Sequence, residues 1–497
     1  MKYRIIGIIS CIAILIIGYL GYFVISSSED ENERYHQHIE AAAKEPCTEH
    51  TENELCTHLP LVVIDTDGED IPGKGIRNKE GKNIGFTKAS DGSDRIVADM
   101  SVIDNETQNN HISDSPDVTS DVIIHVRGNS SRYFDKSSYR IELVDQNGEN
   151  NPQELMGMSA HHEWALHGPY LDKSLIRNYM WYNIAGECME YAPNVRFCEL
   201  VINGEYQGLY LLTELVEAGK EGSRLNLDVD AKDNTYSGYL LRLDRYDDST
   251  EDWLKSLTTY TYRNDIDLKL EIEYPGPSKL TSEMKKSIKD DFSKFEKALY
   301  SYDYDSKKYG YKTYIDEMSF VDYFIIGEFT TNYDAGAYST YIYKDTSGKF
   351  KTCVWDFNNS CDNYQEVSTM DVQHFEMHNR LWYVMLTKDE DFIENIISRY
   401  RQLREGVLSE EYLMQYIDDT IEYLGPAIER NFKKWGDSFD DDDLLSPEER
   451  NIHSYEEAVA QLKNFIKERG DWMDENIETL RQYSAESKVK KYNEVAD

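Results

Sequence analysis

Asp334 and Asp356 are the residues of this chain whose types and spacing best suit chemistry on a phosphoryl group. They sit in the stretch Thr331 to Tyr364, TNYDAGAYSTYIYKDTSGKFKTCVWDFNNSCDNY. Thr340 to Lys344 and Phe350 to Trp355 are β-rich runs, and Asp345 to Lys349 supplies a short Gly-containing loop between them. Paired as an antiparallel hairpin, residue numbers across the ladder sum to about 694, so Tyr338 faces Asp356 and Ser339 faces Trp355. Asp334, Ser339 and Asp356 then converge at one end of a rigid element. Oxygen ligands for a hard cation, plus a carboxylate that orients an attacking hydroxyl, are what metal-dependent phosphoryl transfer needs. A lone Asp on a loop is more often a cap or a surface charge. The pair at the two mouths of one hairpin is what gives the pattern weight.

The elements that must position these residues follow a simple order. Strands come first: Leu61 onward (LVVIDTDG), Val122 to Val126 and Tyr139 to Leu143 around the turn RGNSSRYFDK, and Gly238 to Leu243. Cys198 to Ile202 and Gly208 to Leu212 flank Asn203-Gly204, a strong hairpin signal. Lys173 to Ala185 has helical spacing. From Ser282 the chain turns helical: Met284 to Tyr300, a run into Phe329 capped by Ser319, then Arg380 to Leu386, Phe392 to Leu403, Glu410 to Tyr423 and Tyr455 to Leu480. A strand-rich half followed by a helix-rich half predicts an α+β protein of two lobes with a cleft between them.

The 497 residues carry a formal net charge of −40. Such acidity repels phosphate, which excludes nucleic acid as a partner and suits a cationic protein or a metal. Residues 5–25 are uncharged and apolar, long enough to span a bilayer, with Lys2 and Arg4 before them and acidic residues after. The expected order is therefore a cytoplasmic end (1–4), a transmembrane helix (5–25), a polar stalk (26–60), a folded region (61–480) and a charged tail (481–497). The body is expected outside the cytoplasm. Beyond Cys11, the cysteines fall into local pairs, Cys47 with Cys56, Cys188 with Cys198 and Cys353 with Cys361. They read either as three disulfides or as buried thiols. With no C-x-x-C, a cysteine zinc site is not expected. The acidic run Asp437 to Asp443 lacks EF-hand spacing and reads as a solvated loop.

From Asp334 to Ser339 the spacing is D-x-x-x-x-S, and Asp356-Phe357-Asn358 follows. Protein kinases place D-x-x-x-x-N and D-F-G in these roles. Five ordered segments make the likeness more specific: RGNSSRYFDKSSYRIEL from Arg127, ELVINGEYQGLYLLTE from Glu199, GYLLRLDR from Gly238, NYDAGAYSTYIYKD with VWDFN, and Leu381 to Arg404. Together these resemble the CotH kinases, over roughly Leu61 to Trp472. The resemblance implies a two-lobed atypical protein-kinase-like fold, with a strand-rich N-lobe (about 61–245) and a helical C-lobe (about 246–480). It also implies ATP and Mg²⁺ or Mn²⁺ as cofactors, and phosphorylation of Ser or Thr on spore-coat or surface proteins, Ser-rich and cationic ones suiting this charge.

On that likeness Asp334 matches the catalytic aspartate and Asp356 the metal-binding one. Asn358 and Ser339 fall where the family and ordinary kinases place further metal ligands, and both are neutral here. Arg127, Lys136 and Arg140 are candidate phosphate-binding cations, with Glu214 to hold one of them. In the strand from Tyr139 to Leu143, Arg140 points away from the apolar face. Trp355, Tyr341 and Tyr343 read as core residues. Two other classes remain open: a CotH-like structural or adhesive protein without catalysis, and a glycoside hydrolase using the two carboxylates.

Overall fold

Alternating apolar and polar residues in the first half of the chain build strands with one buried face. In Val118–Arg127, the side chains of Val122, Ile124 and Val126 are buried, while Ile123, His125 and Arg127 on the opposite face are half-buried. Ser138–Val144 repeats this, with Tyr139, Ile141 and Leu143 inside and Arg140 and Glu142 outside. Seven strands close into a barrel in the order Glu163–His167, Glu205–Glu214, Val195–Ile202, Leu61–Asp65, Ile96–Ile103, Val118–Arg127 and Ser138–Val144. Leu61–Asp65 and Val195–Ile202 pair in parallel. Asn203 and Gly204 adopt φ of 51° and 76°, the left-handed pair that a tight two-residue hairpin requires.

The structure is a computed structural model and describes residues 34–45, 47, 54–219, 224–227, 237–245, 268–366 and 372–485. The apolar stretch 5–25, residues 1–4 and the tail from 486 lie outside the described residues, so the expected anchor does too. Among the described residues, no helix is long and apolar enough to cross a membrane. The described residues from 36 onward form one compact unit.

The two-lobed kinase-like fold expected from the sequence is not what forms. Glu163–His167 pairs with Ser138–Val144 on one side and Glu205–Glu214 on the other. That double pairing removes both sheet edges and closes a barrel where the strand-rich N-lobe of a two-lobed fold was expected. The fold is mixed α/β. Strand Val195–Ile202 is buried along its whole length because both faces are covered. Cys198 and Leu200 face the barrel core, while Val195 and Phe197 join a second core with helix Arg177–Cys188. That helix buries its residues from Arg177 to Ala185, as a central helix must. It begins later than the spacing predicted, because the Asp172 carboxylate accepts hydrogen bonds from the Ser174 and Arg177 backbone N–H groups.

A separate four-stranded sheet holds the opening hairpin, in the order Leu268–Tyr274, Tyr239–Arg245, Thr340–Lys344, Lys351–Cys353. Its register is the expected one: Tyr341 opposes Cys353, Ile342 opposes Thr352 and Tyr343 opposes Lys351. The ladder stops short of Ser339 and Asp356. Helix Glu317–Phe329 leads into it, and its cap is Asp316, which accepts from the Ser319 N–H. Ser319, expected to cap, instead accepts from the Thr352 N–H at 2.9 Å and ties the helix to the hairpin. Helices Ser282–Leu299, Glu390–Arg404, Glu410–Leu424 and Tyr455–Asn476 match the helical pattern closely, while Pro426–Trp435 was not anticipated. The six cysteines, read either as three disulfides or as buried thiols, are free thiols. Burial raises the thiol pKa of Cys188 to about 12 and that of Cys361 to about 11.

A fully buried ion pair joins these helices. Arg469 donates to the Glu328 carboxylate at 2.8 Å, and also to the carbonyls of Glu328, Val372 and His374. Neither side chain has any solvent exposure. Arg469→Met strands a buried carboxylate, and we expect it to lower the unfolding free energy by about 3–5 kcal/mol in urea denaturation.

Candidate active site

The segment after helix Glu317–Phe329 turns sharply because Thr331 adopts a φ of 45° and the Asp334 carbonyl accepts from the Ala337 and Tyr338 N–H groups. This turn places Asp334, which is 8% exposed, on a cleft of about 750 Å³. Asp356, Ser339 and Asn358 line the same cleft. So do Arg127, Arg132 and Arg140 from the outside of the barrel and the loop that follows Arg127. One wall is therefore rich in oxygen ligands and the other in guanidinium groups.

The two aspartate loops are held by a clamp that the sequence reading did not find. The Asn332 side chain accepts from the Asp334 N–H at 3.2 Å and donates to the Asp356 carbonyl at 2.9 Å. Helix Arg177–Cys188 holds the Asp356 loop from beneath. Tyr182 accepts from the Asp356 N–H at 3.0 Å, and Asn178 accepts from the Phe357 N–H at 2.7 Å. Asn178 also donates to the Asn358 side-chain oxygen at 3.3 Å. Arg177 reaches the Ser360 and Cys361 carbonyls at the far end of the loop. Asp356 itself accepts from the Asn358 N–H at 3.1 Å, so one carboxylate oxygen is partly engaged. Ser339 and Asp356 both take left-handed backbone conformations, φ 47° and 56°. Non-glycine residues are held there only where the surroundings over-determine them. The N-x-D spacing of Asn332 and Asp334 was the visible signal for the clamp. Arg177, Asn178 and Tyr182 carry none, since their partners lie far away in sequence.

Electrostatics separate the walls. Among the described residues, neither Arg127 nor Arg132 forms an ion pair; Arg127 lies over the Trp355 ring at 5.4 Å. Burial and then Arg127 lower the pKa of Arg132. His125 is driven down to about 4 by burial and by Arg140, Arg132, Arg95 and Arg127. Arg127 and Arg132 thus give this barrel face positive charge that no ion pair among the described residues neutralises directly, whereas Arg140 is paired. His167, also on the cleft, is pushed to about 4 by burial, against the pull of Asp356.

Two expected cation-site residues do not reach the cleft. Lys136 is buried and donates to the Leu209 carbonyl at 2.6 Å and Asn431 at 2.7 Å, fastening helix Pro426–Trp435 to the barrel. Glu214 accepts from the Asn194 N–H and faces Arg224 at 3.6 Å, so it holds neither Arg127 nor Arg140. Arg140 lines the cleft but is paired with Glu163, and Glu217 lies 3.7 Å away. Trp355 and Tyr341, read as core, also line the cleft.

A family model described as CotH kinase protein matches residues 124–473, a span that includes every cleft residue named above. The inner spore coat protein H of Bacillus subtilis (strain 168) is 22% identical over 368 residues, covering 72% of this chain and 88% of that relative.

Asn332→Ala removes the clamp and leaves two backbone groups without their partner. We expect a loss of about 1–3 kcal/mol in denaturant midpoint experiments. His167 gives a pH dependence of known sign. Folded, it resists protonation down to about 4, whereas the unfolded chain protonates near 6.5. Stability therefore falls as pH drops from 6.5 to 4, and His167→Gln flattens that part of the thermal-melting profile.

Proposed function

The chain belongs to the CotH kinase protein family, and from that premise we propose that it transfers the γ-phosphoryl group of ATP to Ser or Thr hydroxyls on coat or surface proteins. The observation that carries this reading is the cleft in which Asp334 and Asp356 face Arg127 and Arg132. A polyanion with an associated cation matches both walls at once.

The residues divide the work. Asp334 takes the proton of the acceptor hydroxyl as its oxygen bonds to the γ-phosphorus and the bond to the ADP oxygen breaks. Arg127 and Arg132 receive phosphate oxygens, since their positive field lacks an ion-pair partner among the described residues. Asp356, with Ser339 and Asn358, offers the oxygen donors that suit a hard divalent cation. Mg²⁺ or Mn²⁺ bound there supplies positive charge to the phosphate oxygens. Ser339 and Asn358 are neutral, and Asn358 already accepts from Asn178, so the site favours weaker cation binding than an all-carboxylate set. Trp355 lines the cleft wall beneath Arg127. The acceptor is expected to be cationic and Ser-rich, because the chain carries a net charge of −40. A place in the coat follows from the name of the Bacillus subtilis relative.

The test is label transfer from γ-labelled ATP to a basic, Ser-rich acceptor with Mg²⁺ or Mn²⁺. Asp334→Asn is expected to slow transfer about 10²–10⁴-fold, and Asp356→Ala to abolish it. In a thermal shift assay, ATP with Mg²⁺ at about tenfold over Kd stabilises the protein by ~1.4 kcal/mol, and Arg127→Ala removes the shift. Unchanged transfer in Asp356→Ala would sink the metal role. No shift and no transfer in the parent chain would instead favour a structural coat protein.

A further inference from the structure

Away from the cleft, Cys47, Cys56 and His111 bring one ligand atom each within 4.8 Å of one another. We infer that these three side chains bind a zinc ion that clips together the chain segments leading into the barrel. The site was hidden in the sequence because the two cysteines are not a C-x-x-C pair and the histidine arrives from a distant loop.

The backbone explains the convergence. Cys56–Thr57 and Asn110–His111 form a short antiparallel pair in which Cys56 lies directly opposite His111. Direct cross-strand partners place their side chains on one face, close enough to share a ligand. Cys47 arrives along the other side of the same loop. The Glu45 N–H donates to the Thr107 carbonyl at 2.8 Å, and the Asn109 N–H donates to the Glu45 carbonyl at 3.4 Å. Three segments thus meet at one place.

The surroundings suit a metal better than a disulfide. His111 Nδ1 faces the Asp114 carboxylate at 3.4 Å, so Nε2 is the nitrogen we assign to the metal. Asp114 is fixed in turn, accepting from the His111 N–H at 2.9 Å and from the Asn105 side chain at 2.8 Å. A carboxylate behind a histidine is the usual support of a metal-bound imidazole. The Asn109 side chain donates to the Cys56 sulfur at 3.4 Å, a contact that favours a thiolate. Two thiolates and an imidazole select zinc among common divalent ions, with water completing the tetrahedron. With Zn–S bonds of about 2.3 Å, tetrahedral ligand atoms lie about 3.8 Å apart, so only small inward movements are required. A Cys47–Cys56 disulfide would use the sulfurs and leave the supported histidine without a role.

The experiment uses the full chain, reduced and stripped with a chelator, then titrated with Co²⁺ and afterwards Zn²⁺. One equivalent of Co²⁺ should give thiolate-to-cobalt charge-transfer absorption together with the visible bands of a tetrahedral ion, and Zn²⁺ should displace it. Cys56→Ser and His111→Gln should lose the spectrum. Asp114→Asn should weaken binding about 10- to 100-fold while keeping it. No cobalt spectrum from the reduced, folded parent chain overturns the site. So does a spectrum that Cys56→Ser leaves unchanged. The parent titration needs no variant to fold, so the inference stays testable if a substitution is not tolerated, and its failure leaves the cleft untouched.

Discussion

The guanidinium of Arg177 is the constraint around which the site is organised. It is 1% exposed, and its donors reach Asp172, Ser174, the carbonyls of Ser360 and Cys361, and Gln461. Breaking a buried charge pair by removing one partner costs several kcal/mol, so these groups cannot drift apart independently. One side chain thereby ties the start of the central helix, the loop after Asp356 and helix Tyr455–Asn476. Asn178 and Tyr182, on the same helix, then set the backbone of Asp356 and Phe357. The position of the second aspartate is in this sense a property of the helix, transmitted through three side chains.

The barrel contributes the opposite wall. Its closed hydrogen bonding makes it stiff, and strand alternation sends Arg127 and His125 outward while the apolar residues fill the interior. Burial, and after it four nearby arginines, hold the His125 pKa down at about 4. Carboxylates on loops and cations on a rigid barrel meet across the cleft without neutralising each other in direct pairs.

Much of this was legible locally. The hairpin register followed from its turn, the Asn203-Gly204 turn from its two left-handed positions, and the outward face of Arg140 from alternation. What depended on distant partners was not. Barrel closure rests on Glu163–His167 pairing on both edges and on a parallel pair between the first strand and Val195–Ile202, and neither leaves a pattern in nearby residues. Lys136 sits beside candidate phosphate-binding residues in sequence, yet its partner Asn431 comes from a helix near the other end of the chain. The cap at Asp316 was misplaced by three residues because Ser319 is an equally good capping type. The helix Pro426–Trp435 carried a readable sign, a proline at its first position after Gly425.

Closure of the barrel also separates two boundaries that are easily taken for one. The family match begins at residue 124, within strand Val118–Arg127. Strands Leu61–Asp65 and Ile96–Ile103 lie wholly before it, yet they stand between Val195–Ile202 and Val118–Arg127 in the ring. A fragment trimmed to the matched span would lose two of seven staves. It would bare the edges of Val195–Ile202 and of the shortened Val118–Arg127 strand, and open the apolar interior to water. The span matched by the family model is thus smaller than the closed barrel, and the wall bearing Arg127 depends on strands that lie before that span.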